Sequence, residues 1–157
     1  MSQEIAYSKS FLVLWSDLDP NGQMRGGRFL EYAAETMGHF LIDHGFDFGA
    51  FAREQIGPVT FNQRITHLKE VRFGEQITID HRLRGLSSDG SRWAFRHRIT
   101  RRDGREVAIV ESDGAFFSLV VRKVGPPPAG VVDLFRRLPR DEDFAELRDA
   151  TESRRPA

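Results

Sequence analysis

One segment constrains the fold of this chain more than any other. Between Gly26-Gly27 and Gly45, the residues Phe29, Leu30, Ala33, Ala34, Met37, Phe40 and Leu41 recur at spacings of three and four. At about 100° per residue they share one face, while Arg28, Glu31, Glu35, His39 and Asp43 fall on the other. The spacing predicts an amphipathic helix of about four to five turns, closed by Gly45 in the left-handed position after its last turn. A broad apolar face must be covered, and the rest of the chain offers mainly strands for it. Residues 10–16 precede the helix. A short loop with room for one helical turn follows, then strand-like runs at about 59–68, 76–86, 92–102 and 106–121, rich in β-branched and aromatic residues and bounded by turns. The order strand, long helix, four-stranded antiparallel meander predicts an α+β fold with a sheet wrapped around one central helix.

Turn chemistry and side-chain alternation set the expected register. Asp103-Gly104 reads as a two-residue type I′ hairpin, which places Arg98 opposite Ile109 and Arg96 opposite Glu111. For the turn in Ser87-Ser88-Asp89-Gly90, the apolar series Ile77, Ile79, Leu83 and Trp93, Phe95, Ile99 are all odd-numbered. An odd loop, Ser88-Asp89-Gly90, is needed to put them on one face. Ile79 then faces Ile99, His81 faces His97 and Leu83 faces Phe95, while Arg82, Arg84, Arg96 and Arg98 gather on the opposite face.

Composition excludes more than it selects. The 157 residues fit one domain. Cysteine is absent, which removes disulfides, a thiol nucleophile and thiolate metal sites. Lys plus Arg is 23 and so is Asp plus Glu, so bulk charge gives no reason to expect a nucleic-acid partner. No apolar run approaches the roughly 20 residues of a membrane span. The opening Met1-Ser2-Gln3-Glu4 shows no basic start followed by an apolar stretch, so neither a signal peptide nor a membrane partner is expected, and the cytoplasm is the expected location. No histidine spacing suggests a metal: His39 and His44 lie on different faces, and a paired His81 and His97 is more simply two satisfied sheet residues.

Reactive groups crowd only in the loop 17–27, which holds Asp17, Asp19, Asn21, Gln23 and two glycines at a helix start. A helix N-terminus offers unpaired N–H groups and positive dipole charge, and glycine lets a ligand approach them. Such a site can stabilise an oxyanion on an acyl group, with a nearby carboxylate activating water or attacking the carbonyl. Asp, Asn and Gly are equally what any turn requires, and the residues alone leave both readings open.

The stretch from Trp15 to Tyr32, Trp-Ser-Asp-Leu-Asp-Pro-Asn-Gly-Gln-Met-Arg-Gly-Gly-Arg-Phe-Leu-Glu-Tyr, resembles the signature of hotdog-fold acyl-CoA thioesterases, most of all the 4-hydroxybenzoyl-CoA thioesterase group. Gly57-Pro58-Val59, Phe73-Gly74-Glu75 and the Gly-Leu-Ser-x-Asp-Gly hairpin are similar too, and the likeness covers about residues 8–122. The resemblance implies a hotdog fold and hydrolysis of acyl-CoA, with coenzyme A as part of the substrate and no separate cofactor or metal. It implies a homodimer or tetramer whose sites combine the Asp19 loop of one subunit with the helix or second strand of another. By it, Asp19 is the base or nucleophile, Asn21 and Gln23 assist, Gly26 and Gly27 supply the oxyanion donors, and Phe29, Tyr32, Thr60 and Phe61 line the acyl pocket. Gln23 stands where many relatives have His, and it cannot carry a proton at neutral pH. Two alternatives therefore stay open: a hydroxyacyl-thioester dehydratase or hydratase, and a non-catalytic acyl-CoA or acyl-carrier binding module. Glu35, eight residues past Gly27, matches the base of another hotdog branch, but reads more simply as a solvated carboxylate. Asp17 reads as a brace for the loop. The arginine face is a candidate for coenzyme A phosphates or simply a solvated outer face.

Residues 1–122 are read as the hotdog domain and 123–157 as a Pro-rich linker and helical tail. In the tail, Val132, Phe135 and Leu138, then Phe144 and Leu147, give an amphipathic pattern, and residues 152–157 read as a frayed end.

Overall fold

The computed structural model describes residues 3–150, and the expected frayed end lies outside them. In chain order the elements are β1 (Ser8–Leu12), a 3₁₀ turn (Trp15–Asp17), α1 (Gly26–Asp43), α2 (Phe48–Glu54), β2 (Ile56–His67), β3 (Gln76–Asp80), β4 (Arg82–Ser87), β5 (Arg92–Arg101), β6 (Glu106–Ser118), β7 (Lys123–Val124), α3 (Val131–Arg136) and β8 (Arg140–Leu147). Among the described residues these strands form one sheet, antiparallel apart from the β4–β8 pair, that curls around α1. This is the α+β arrangement expected.

The helix ends as its sequence requires. Gly45 has φ +93°, the Gly45 N–H donates to the Ile42 carbonyl (3.1 Å) and the Phe46 N–H to the Leu41 carbonyl (2.8 Å). This is the double bond of a left-handed C-terminal cap. Phe29, Tyr32, Ala33, Thr36, Phe40 and Leu41 are buried. One end of α1 packs on Ile77, Ile79, Ile99, Val107 and Val110, and the other on Leu83, Trp93, Phe95, Phe116 and Phe135.

The central register is as expected: Ile79 opposite Ile99, Leu83 opposite Phe95, Arg96 opposite Glu111 and Arg98 opposite Ile109. The hairpin tips differ. At Asp103-Gly104 only Gly104 has positive φ, and the Arg101 N–H donates to the Arg105 carbonyl (3.0 Å). A type I′ turn needs positive φ at both central residues, so the tip is instead a three-residue loop with glycine in the left-handed position. A bulge between Ile99 and Thr100 restores the register behind it. At the other tip Leu86 pairs with Trp93, one residue away from the three-residue loop expected, and a bulge between Leu83 and Gly85 absorbs the offset.

Three further expectations are corrected. The first strand ends at Leu12 rather than Ser16, because Asp17 accepts the Leu14 N–H (2.9 Å) and draws the chain into the 3₁₀ turn. The four later strand segments are not a simple meander: β1 occupies the free edge of β3, so β2 pairs with β6. Last, Phe144 and Leu147 belong to a strand and not to a helix. Arg140–Leu147 pairs in parallel with β4, while Val131, Leu134, Phe135 and Leu138 are buried with the second core cluster. The segment after residue 122 is thus part of the packed sheet and core. It also rewrites the arginine face. Arg82 and Arg96 each bond Asp141 at 2.8 Å, Arg96 also holds Asp143 and Glu111, and Arg98 lies 3.4 Å from Glu106. Among the described residues no helix is long and apolar enough to cross a membrane.

Candidate active site

The loop between β1 and α1 is built on two aspartates. A bridge between Leu18 and Met24 closes it, with the Asp19 N–H on the Gln23 carbonyl (2.7 Å) and the Gly22 N–H on the Asp19 carbonyl (3.0 Å). Gly22 has φ +76°, a conformation that strains other residues. Asp17 is fully buried. It accepts from Tyr32 Oη (2.5 Å), Arg28 Nε (2.6 Å) and the Leu14 N–H. Burial alone raises its pKa, but the bonds from Tyr32, Leu14 and Arg28 outweigh burial and hold it below the usual carboxylate range.

Asp19 is only partly buried. Its Oδ1 accepts the N–H groups of Asn21 (2.8 Å) and Gln23 (3.1 Å), which is the turn-forming role open to any aspartate in such a loop. Among the described residues Oδ2 has no hydrogen-bond partner. Asp19 lines a cleft of about 450 Å³ with Gln23, Gly26, Phe29, His67 and Glu70. Gln23 donates Nε2 to Glu70 Oε1 (2.8 Å). Gly26 and Gly27 open α1, whose preceding residue Arg25 places no side-chain cap on the helix. No acceptor meets either glycine N–H among the described residues; Gly26 lines the cleft and Gly27 does not, so the Gly26 N–H is the helix-start donor available there.

His67, at the end of β2, completes this wall. A methyl group built on Gly26 would sit 3.5 Å from His67 Nε2, and the His67 ring meets Phe29 edge-on with centroids 5.6 Å apart. His67, Lys69 and Glu70 belong to no motif in the sequence: the trace they leave is a lone histidine at the end of a strand-like run, whose place in the cleft depends on β2 crossing the helix start.

Five expected site residues are elsewhere. Gly27, the second residue of α1, is exposed and does not line the cleft. Asn21 acts through its backbone N–H, and its side chain is exposed outside the cleft. Tyr32 is buried against Asp17 and Phe11, under the Arg28 guanidinium, so it braces the loop and lines no pocket. Thr60 and Phe61 sit near the middle of β2. Thr60 lines an apolar groove of about 360 Å³ with Met37, Leu41, Phe48 and Phe51, and Phe61 a separate cleft on the outer face. Seven residues of strand, about 23 Å, separate Thr60 from His67. Glu35 is exposed, 3.7 Å from His39, and takes no part in the Asp19 cleft.

A profile of the Thioesterase-like superfamily matches residues 13–135. The chain belongs to that superfamily. It is 33% identical over 94 residues to an L-carnitine dehydrogenase/betainyl-CoA thioesterase of Agrobacterium fabrum. The match takes in 60% of this chain and spans only 19% of that relative's length. Among solved structures, a 1,4-dihydroxy-2-naphthoyl-CoA thioesterase from Synechocystis superposes with TM-score 0.75 at 14% identity, over 83% of this chain and 96% of the other. A Staphylococcus aureus protein in complex with CoA gives TM-score 0.77 at 15% identity, over 88% and 89% of the two chains. At such identities these structures share the fold, which is the hotdog arrangement expected from the Trp15 to Tyr32 motif.

His81 and His97 meet as the register requires, His81 Nδ1 lying 2.9 Å from His97 Nε2 with the rings stacked at 4.8 Å. Both are buried, His81 between Phe40 and Phe95, and burial lowers the pKa of His97 to about 4 and that of His81 well below its usual value. Among the described residues no group of three potential metal ligands occurs.

Proposed function

We propose that this protein is an acyl-CoA thioesterase working at the Asp19 cleft. One observation carries the reading: Asp19, one of whose oxygens has no hydrogen-bond partner among the described residues, lines the same cleft as Gly26, whose N–H is unpaired at the start of α1. The thioester carbonyl oxygen accepts from the Gly26 N–H at the start of α1, which stabilises the charge that develops when the carbonyl carbon is attacked. Asp19 takes a proton from water as the water oxygen bonds to that carbon. The tetrahedral intermediate then expels the coenzyme A sulfur, which recovers a proton and leaves as the thiol, with the carboxylic acid as second product. Gln23 and His67 hold the water and the departing sulfur by hydrogen bonds.

We infer a homodimer around the free edge of β2. None of the twelve residues of this strand is buried, and it pairs on one side only. Antiparallel pairing of two such edges sets the Thr60 end of one copy beside the His67 end of the other. The apolar groove of one subunit then receives the acyl chain held by the other's Asp19, and Thr60 joins the site from the partner.

A panel of acyl-CoA compounds with thiol release as readout tests the reading. The expected result is release from at least one compound, with kcat reduced about 10²- to 10⁴-fold in Asp19→Asn. Unchanged release in that variant removes Asp19 from the chemistry. His67 beside Asp19 lends weight to a second reading, hydration of an enoyl thioester, which pairs a histidine with a carboxylate. Loss of enoyl absorbance without thiol release would favour it, and tight binding with neither reaction would favour a binding module.

A further inference from the structure

The outer face of the sheet divides its arginines unevenly. Arg82, Arg96 and Arg98 are matched by the carboxylates of β8, Glu106 and Glu111, whereas Arg84 and Arg92 form no ion pair among the described residues. The Nε atoms of both are buried without a hydrogen-bond partner, as are those of Arg98 and Arg101, which do form ion pairs. A guanidinium desolvated in this way favours an anion that restores its lost hydrogen bonds.

Both arginines line one cleft of about 410 Å³ between β8 and the face of β4 and β5. Arg148 stands at its edge, the buried indole of Trp93 contributes to its floor, and the half-exposed ring of Phe61 forms its far wall. Two carboxylates also line it, and both are engaged: Asp143 holds Arg96 through both oxygens (2.8 and 2.9 Å), and Asp113 accepts from Asn62 (3.0 Å). Guanidinium groups match phosphate geometry with two N–H donors each, and they stand here beside aromatic surface.

We propose that this cleft binds a phosphate group carried on a flat ring, as in a nucleotide, with Arg84 and Arg92 as the anion-holding pair. The cleft lies on the side of the sheet away from α1 and is distinct from the Asp19 cleft. The same chemistry has two sources, the nucleotide end of a coenzyme A molecule or a free nucleotide, and the choice of probes separates them.

Isothermal titration calorimetry with 3′,5′-ADP, ADP and inorganic phosphate tests the proposal on the full chain. At least one nucleotide is expected to bind the native protein, to weaken about tenfold or more in R84Q/R92Q, and to bind Asp19→Asn unchanged. Preference for 3′,5′-ADP over ADP identifies the coenzyme A end, and the reverse preference a free nucleotide. Failure of both nucleotides to bind overturns the proposal, as does equal binding by R84Q/R92Q, or loss of binding in Asp19→Asn. The R84K/R92K protein, which keeps the charge but loses the two-donor geometry, is expected to bind with intermediate affinity, and circular dichroism melting confirms that each variant folds. Binding is read without hydrolysis, so this result and that of the thiol-release panel are separable.

Discussion

Asp17 and Asp19 are two residues apart in one loop, yet the fold uses them in opposite ways. Asp17 is buried and accepts three hydrogen bonds, from Tyr32, Arg28 and the Leu14 N–H. Asp19 spends one oxygen on the turn and leaves the other open to a cleft. The difference comes from the 3₁₀ turn and the Leu18–Met24 bridge, which point one carboxylate into the core and the other out of it. A carboxylate is structural where its lone pairs are filled and chemical where they are not.

The sharpest way to break this contrast is to exchange the losses. Asp19→Asn keeps an oxygen for the Asn21 and Gln23 N–H groups, so its unfolding free energy in urea is expected to stay within about 1 kcal/mol of native, while thiol release falls as given above. Asp17→Ala does the reverse first. It leaves the buried Tyr32 hydroxyl without its acceptor and takes from Arg28 one of its two carboxylate partners, the other being Glu31, and is expected to cost about 2 to 4 kcal/mol in the same denaturation. A native-like midpoint for Asp17→Ala would erase the distinction.

Acid separates the two kinds of buried group. His97, depressed to about 4 when folded, stays neutral in the native state but binds a proton near pH 6.5 when unfolded. Its stabilisation is present above pH 6.5 and is lost as the pH falls toward 4, with His81 acting in the same direction. Asp17, held below the usual carboxylate range, adds stability that is lost only further down, below about pH 4. Denaturation midpoints across pH are expected to show both stages, a few kcal/mol in the first, and Asp17→Asn should flatten only the lower one. A smaller effect isolates the brace: Tyr32→Phe removes one of three donors to Asp17 and is expected to cost about 1 to 2 kcal/mol with kcat unchanged. The smallest belongs to Glu35→Gln, expected to shift stability by less than about 0.5 kcal/mol and to leave thiol release at the native rate.

Much of this was legible in the chain. Periodicity located α1 and its glycine cap, the odd-numbered apolar series fixed which residues face each other across β3, β4 and β5, and the Asp103-Gly104 turn those across β5 and β6. The Asp19 loop, Gly26 and Phe29 do share a cleft. What was not legible required tertiary information. The placement of β2 beside β6 follows from β1 having taken the other edge. The strand character of Arg140–Leu147 is set by its pairing with β4 and by Asp141 and Asp143 meeting the arginines, and a hydrophobic pattern of Phe144 and Leu147 alone does not reveal it. Tyr32 carries the motif position of a pocket residue, but its hydroxyl is claimed by a buried aspartate whose burial no local pattern announces. His67 enters the site only because β2 runs across the start of α1.

The bulges behind the two hairpin tips have a consequence for how such a chain tolerates change. At each tip the loop fixes one pairing and the core requires another, and a single extra residue reconciles them. At the Asp103-Gly104 tip, where nothing packs on Gly104, the loop and the core are mechanically decoupled. That loop can gain or lose a residue while the bulge appears, moves or vanishes, and Arg98 still meets Ile109. The other tip has no such freedom, because Gly90 packs on Val132 and Asp89 accepts from Ala150, so only one end of the sheet is open to reshaping while its centre stays in register.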